Sequence, residues 1–280
     1  MHRYLTIIYG MVGLVTGSFL NVVIDRLPAG KSLLRPSSHC PACGRKLSPL
    51  ELIPVLSYLA LGGRCRACGA SIPVRILVVE VVTGLLFAFL YWMYGATLQL
   101  LLTTAYTCVL LAVMFIDLEH MLIPNVIILP ATGFALLTIP LQRLPFHRRS
   151  SYDIVLRLLQ NVRAHSGLSL SILNMLRHLV GGLVGFLLFL LIWFVSLKLR
   201  GVDAMGFGDV KLAAFCGLVT GFPGVLMAIF GSFILGGLVG ALLLASGLAD
   251  RKTPIPFAPF LVVTTFAVMV YGDYLLRFFL

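Results

Sequence analysis

Charge is scarce in this sequence, and acidic charge most of all. Only 11% of the 280 residues are charged, and ten Asp and Glu stand against 21 Lys and Arg. With 60% hydrophobic residues and a mean hydropathy of +1.04, such a chain is no soluble domain. A single basic patch is also missing. The cations lie between apolar runs, so despite the net charge of +11 nucleic-acid binding is not expected, and their placement fits anionic lipid headgroups and topology signalling. No internal repeat or disordered tail is visible. No Gly-rich strand-to-helix turn announces a nucleotide pocket. No polar-flanked cleavage site follows the first apolar run, so a retained helix is expected over Tyr4–Ile24 rather than a signal peptide.

What is present is a series of apolar runs near the ~20 residues that a spanning helix needs. They lie at Tyr4–Ile24, Ile76–Tyr94, Leu98–Ile116, Asn125–Pro140, Leu179–Leu197, a short Asp209–Thr220, Val225–Ser246 and Phe257–Leu276. The expected fold is an all-α polytopic membrane protein of about eight transmembrane helices, with a small cytoplasmic zinc-binding insert between the first two. The expected division is a first helix over 1–25, the insert over 26–75 and a larger membrane domain over 76–280. Interior glycines (Gly181, Gly182, Gly185, Gly231, Gly236, Gly237 and Gly240) suit close helix contact. Ser18, Asn21 and Asp25 share one face of the first helix and are read as interhelical hydrogen-bonding groups.

The dense Lys/Arg cluster from Arg26 to Arg75 places the insert inside and the N-terminus outside. Lys198 with Arg200, and Arg251 with Lys252, mark further inside loops. The stretch Leu141–Arg177 breaks this rule. It carries Arg143, Arg148, Arg149, Arg157, Arg163 and Arg177 against Asp153, yet falls outside, and an amphipathic interfacial helix is expected there. His147, His165 and His178 lack ligand spacing and read as surface residues.

Four of the six cysteines form Cys40-Pro41-Ala42-Cys43-Gly44 and Cys65-Arg66-Ala67-Cys68-Gly69. Two such pairs, each followed by Gly, have the shape of zinc knuckles. Disulfides would use the same residues, but a reducing cytosolic face favours Zn²⁺ held by four thiolates, which is structural because no open position remains. Cys108 and Cys216 sit alone in apolar runs as packing residues.

Two carboxylates carry the chemistry. Asp117 ends one apolar run, and Asp209 opens another just after Gly206 and Gly208, glycines that leave the backbone bare for an extended partner. The topology puts both at the cytoplasmic face. Carboxylates a few ångströms apart cannot both ionise readily, so they share a proton, and such a pair can activate water against a peptide bond. The bland alternative pairs each with a cation such as Lys211. Glu80, early in the second long apolar run, reads either as a satisfied interior carboxylate or as a functional one.

The ordered series of motifs resembles the type IV prepilin peptidases, a family of bifunctional leader peptidases and N-methyltransferases within the GxGD intramembrane aspartyl proteases. Gly17-Ser18-Phe19-Leu20-Asn21 through Pro28 is similar to its N-terminal signature. The two cysteine pairs, with Ile53–Tyr58 between them, resemble its zinc domain. Ile72-Pro73-Val74-Arg75 through Glu80, Asp117-Leu118, Leu122–Asn125, Gly206–Lys211 and Ile255-Pro256-Phe257 complete the set. The resemblance implies cleavage of basic leaders from type IV prepilins or type II secretion pseudopilins at the cytoplasmic side of the bacterial inner membrane. It implies methylation of the new amine by S-adenosylmethionine, with Asp117 and Asp209 as the catalytic pair and Cys40, Cys43, Cys65 and Cys68 on zinc. Glu51 and Glu80 are candidate methyltransferase or structural residues. Leu141–Arg177 departs from the family pattern, and Phe207 is a minor departure. The runner-up readings are a peptidase without methylation and, from another class, a zinc-stapled transporter or scaffold relaying cations through its acids.

Overall fold

A computed structural model describes residues 2–142, 169–200, 206–248, 250 and 253–279. Arg143 to Arg163, Asp153, His147, His165, Arg251 and Lys252 lie outside the described residues. The helices are α1 (His2–Arg26), α2 (Leu56–Ala60), α3 (Val74–Tyr94), α4 (Leu98–His120), α5 (Asn125–Thr138), α6 (Leu170–Arg200), α7 (Phe207–Thr220), α8 (Gly224–Ala245) and α9 (Ala258–Phe279). Among the described residues there are no strands, only two isolated bridges inside the insert, His39 with Lys46 and Arg64 with Ser71.

Each of the eight expected runs is helical. Five of these helices (α1, α3, α4, α6 and α8) are long and apolar enough to cross a membrane by length and composition, while α5 and α9 give shorter apolar stretches and α7 has 14 residues. Two boundaries differ from expectation. Helix α4 continues one turn past Ile116, so Asp117 lies within its last turns rather than beyond it. Helix α6 begins at Leu170, well before Leu179, because its apolar face already starts there. Local chemistry sets the other ends. Pro73 and Pro124 precede α3 and α5, the Thr97 hydroxyl accepts the Leu100 N–H to cap α4, and α3 stops at Gly95.

The chain divides into two compact units, Met1–Thr104 and Ala105–Leu280. In the first, α1 lies against α3. A Cβ on Gly17 would stand 2.8 Å from the Glu80 Cα, so only glycine lets the backbones approach this closely. Two of the three groups expected on the polar face of α1 are used as read. Asn21 Nδ2 donates to the Ile76 carbonyl at 3.0 Å, and Asp25 pairs with Arg75.

Glu80 ties this helix pair to the insert. Glu80 is 4% exposed, and its carboxylate accepts the Val55 N–H at 2.7 Å. Val55 has φ +63°, and the Leu56 N–H reaches back to the Pro54 carbonyl, a γ-turn strained for a β-branched residue. The carboxylate therefore offsets the strain it holds in place. Glu80→Ala leaves the Val55 N–H unpaired and is expected to destabilise the first unit by about 1–3 kcal/mol. Glu80→Gln keeps an acceptor and should lose less than half as much, as read by thermal unfolding in detergent.

In the second unit, α7 is the core element. Val210, Leu212, Ala213, Phe215, Cys216 and Leu218 are buried, and α5, α6, α8 and α9 surround it, which suits a short helix apolar on every side. Helix α6 lies against α7 where Gly181 meets Gly217 and Gly182 meets Leu218, as expected of these glycines. Gly237 faces open space instead. Exposed apolar side chains on α1, α6 and α8 (Ile7, Val15, Leu191, Phe230, Leu242) are those of an integral membrane protein, whose backbone bonds are satisfied within helices.

His178 corrects the surface reading. It is 4% exposed, and its Nδ1 lies 2.8 Å from the Leu218 carbonyl, because the early start of α6 carries it into the helix interface. A second buried polar group in this unit is formed where Gln142 donates to Tyr106 and Asn174 donates to the Gln142 carbonyl.

Candidate active site and metal centre

The two knuckles of the insert fold alike. Cys40 N–H bonds the Arg45 carbonyl and Gly44 N–H bonds the Cys40 carbonyl; Cys65 with Ala70, and Gly69 with Cys65, repeat the arrangement. Gly44 and Gly69 both sit at φ +71°, a left-handed turn that glycine adopts without strain, as the sequence pattern required. The Sγ atoms of Cys40, Cys43, Cys65 and Cys68 all lie within 4.8 Å of one another, close enough to hold a metal. The Cys40–Cys68 sulfur separation is 3.8 Å, the edge of a tetrahedron of roughly 2.3 Å zinc–sulfur bonds. Backbone groups of Cys68 and Ala67 favour the Cys65 thiolate and lower its pKa, which is the ligand form. Among the described residues the remaining cysteines, Cys108 and Cys216, are free and belong to no such cluster.

Glu51 sits beside this centre. It accepts the Ser48 N–H at 2.8 Å and pairs with Arg45, and these contacts hold its pKa down to about 2. The bond to Ser48 is half of a capping box over the short Pro49–Leu52 turn. Glu51 and Glu80 thus each hold a backbone turn of the insert.

In the second unit, Asp117 and Asp209 come from different helices to within electrostatic reach of each other. Asp117 is buried in the last turns of α4, and its Oδ2 accepts the Ala258 N–H at 3.1 Å. Asp209 lies in the first turn of α7, where its own N–H donates to the Gly206 carbonyl at 3.0 Å. Among the described residues neither carboxylate has a cationic partner. Lys211, the cation the sequence offered to Asp209, instead donates to Asn125 Oδ1 at 2.7 Å and lies over the Phe207 ring. This bond ties the start of α5 to the start of α7.

The Gly-x-Gly-Asp stretch is not the open loop expected. Gly206 is an exposed N-cap, but Gly208 is already helical, and a Cβ there would meet the Ile123 side chain at 2.9 Å. Gly208 therefore admits the chain leaving α4 rather than an extended partner, while Gly206 remains open. Ala258 is the group that sequence reasoning missed. Only its backbone touches Asp117, across 141 positions, and a backbone donor leaves no residue signature.

Two acids held at helix ends, with no cationic partner among the described residues, have the chemistry to share a proton if they come within a few ångströms. Comparison with known proteins bears on the same residues. The Bacterial Peptidase A24 N-terminal domain matches residues 11–94, which include all four clustered cysteines. Prepilin leader peptidase/N-methyltransferase of Pseudomonas aeruginosa is 33% identical over 293 residues, covering 96% of this chain and 91% of the relative. Proteins of the same name from Stutzerimonas stutzeri (31% over 286 residues, 94% and 89% coverage) and Bacillus subtilis (32% over 271 residues, 96% and 95%) are similar throughout. No solved structure matches the chain. The model of the Type IV leader peptidase family spans residues 104–241 and takes in both aspartates, and with relatives aligned along almost the whole length, the chain belongs to that family.

Proposed function

We propose that this protein cleaves the leader peptide from type IV prepilins or type II secretion pseudopilins with Asp117 and Asp209, and then methylates the newly exposed N-terminal amine. One observation carries the reading: two acids at the ends of separate helices lie within electrostatic reach of each other, neither with a cationic partner among the described residues, in a chain of the leader peptidase family. In the cleavage step one carboxylate takes a proton from water while its protonated partner donates a hydrogen bond, then a proton, to the scissile carbonyl. The water oxygen bonds the carbonyl carbon. Collapse of the tetrahedral intermediate breaks the C–N bond and passes a proton to the leaving amine.

The first helix over 1–25, the insert over 26–75 and the peptidase domain over 76–280 are the working parts. Cys40, Cys43, Cys65 and Cys68 would hold Zn²⁺, which would supply fold rather than chemistry because four thiolates leave no open position. Glu51 and Glu80 support that insert. S-adenosylmethionine would supply an electrophilic methyl group, its C–S bond breaking as the new amine forms the C–N bond, with S-adenosylhomocysteine as leaving group and one proton lost from nitrogen to water. The protein sits in the bacterial inner membrane among anionic lipids, with its carboxylate pair facing the cytoplasm, and takes no nucleic acid.

Purified protein incubated in detergent with a type IV prepilin should release the leader. Mass spectrometry of the mature pilin should show one added methyl only when S-adenosylmethionine is present. An intact prepilin defeats the peptidase reading, and a mature pilin without the methyl defeats the transferase reading alone.

A further inference from the structure

We propose that the first turn of α9 is a positioning device for Asp117, with the Ala258 N–H as the contact and Phe257 as the residue that aims it. The proposal rests on Asp117 being half of the catalytic pair. An aspartate side chain has two free torsions, and at 6% exposure Asp117 has no water shell to restrain them. What restrains it is the 3.1 Å bond from Ala258 to Oδ2. The donor is one of the N–H groups that every helix start leaves unpaired, so this one bond satisfies a buried helix end and a buried carboxylate together. With Oδ2 engaged, the other oxygen is left for Asp209 and water.

The aim of that N–H depends on its neighbour. The Phe257 ring lies 5.2 Å from Phe233 of α8 and 5.7 Å from Phe189 of α6, centroid to centroid. Phe189 is fully buried, and Ala258 itself is 0% exposed. Three rings from three parts of the second unit thus anchor the entry to α9. This gives Ile255-Pro256-Phe257 a role: the segment does not touch the reacting atoms but sets where Asp117 points.

Proline and glycine at position 258 separate the N–H from everything else. Proline removes the donor yet suits the first position of a helix, whereas glycine keeps the donor and removes only a methyl. The full chain in detergent is assayed for prepilin cleavage, with kcat and KM measured separately. Ala258→Pro is expected to lower kcat by about 10- to 100-fold with KM changed less than about twofold, the cost of a slightly misplaced catalytic group. Ala258→Gly is expected to keep at least about tenfold more kcat than the proline variant. If the proline variant fails to stay monodisperse, Phe257→Leu carries the test, with kcat reduced and KM retained. Equal kcat for the proline and glycine variants, or a wild-type kcat for Phe257→Leu, overturns the proposal. Asp117→Asn separates the two levels. An inactive Asn variant beside an unimpaired proline variant refutes only the positioning role, whereas an active Asn variant refutes the pair itself.

Discussion

Asp117→Asn and Asp209→Asn should each cut prepilin cleavage by roughly 10²- to 10⁴-fold, the usual share of a positioned proton-transfer group. Asparagine matches aspartate in size and still accepts a hydrogen bond through its carbonyl. The Ala258 contact to Asp117 therefore survives, and so should the packing around it. What disappears is the proton that the pair shares. Groups that act as a unit fail as a unit, so the double variant should be no more than a few-fold worse than the weaker single one. Leader loss on a gel and unfolding temperature, measured on the same preparations, separate chemistry from fold. Full cleavage by both single variants would remove the aspartyl mechanism.

The second large effect is expected in the insert. Cys40→Ser and Cys65→Ser should each take bound zinc from about one ion per chain to near none, because a serine hydroxyl does not replace a thiolate in a four-sulfur site. Structural zinc contributes about 10–16 kcal/mol of apparent binding energy in small zinc domains, as much as the whole stability of an ordinary domain. The insert has little else to hold it. Its helical pieces are Pro49–Leu52 and Leu56–Ala60, neither of which contains a buried residue. Loss of the metal, by substitution or by chelator, should therefore open the chain between the first helix and α3 to protease. Zinc content by mass spectrometry and the positions of the cuts read this out. An insert that stays protease-resistant without zinc would mean that Glu80, Glu51 and the turns suffice.

The same polar bonds explain why neither Glu51 nor Glu80 could be assigned from sequence alone. A carboxylate in an apolar run is unusual, but whether it serves catalysis or a turn depends on what chain segment comes to meet it. For Glu80 that segment is the strained turn at Val55, 25 positions away. For Glu51 it is Arg45 and Ser48, brought to it where the Pro49–Leu52 turn closes as a capping box.

Helical class, the series of apolar helices and the paired knuckles were legible because they are written in local terms. Apolar length, Pro and Gly at helix ends, and two equal Cys-x-x-Cys-Gly units are properties of adjacent residues, and physics within a few positions is enough to read them. Asp117 and Asp209 stood out for a similar reason, as rare acids at the ends of apolar runs. Their surroundings were decided elsewhere. That Gly208 makes room for Ile123, that Lys211 turns to Asn125, that His178 is buried and that Ala258 holds Asp117 are all outcomes of packing between helices far apart in the chain. Such contacts depend on which faces meet when lipid-length helices assemble, and on backbone donors that look the same in every residue. No pattern within one segment contains them.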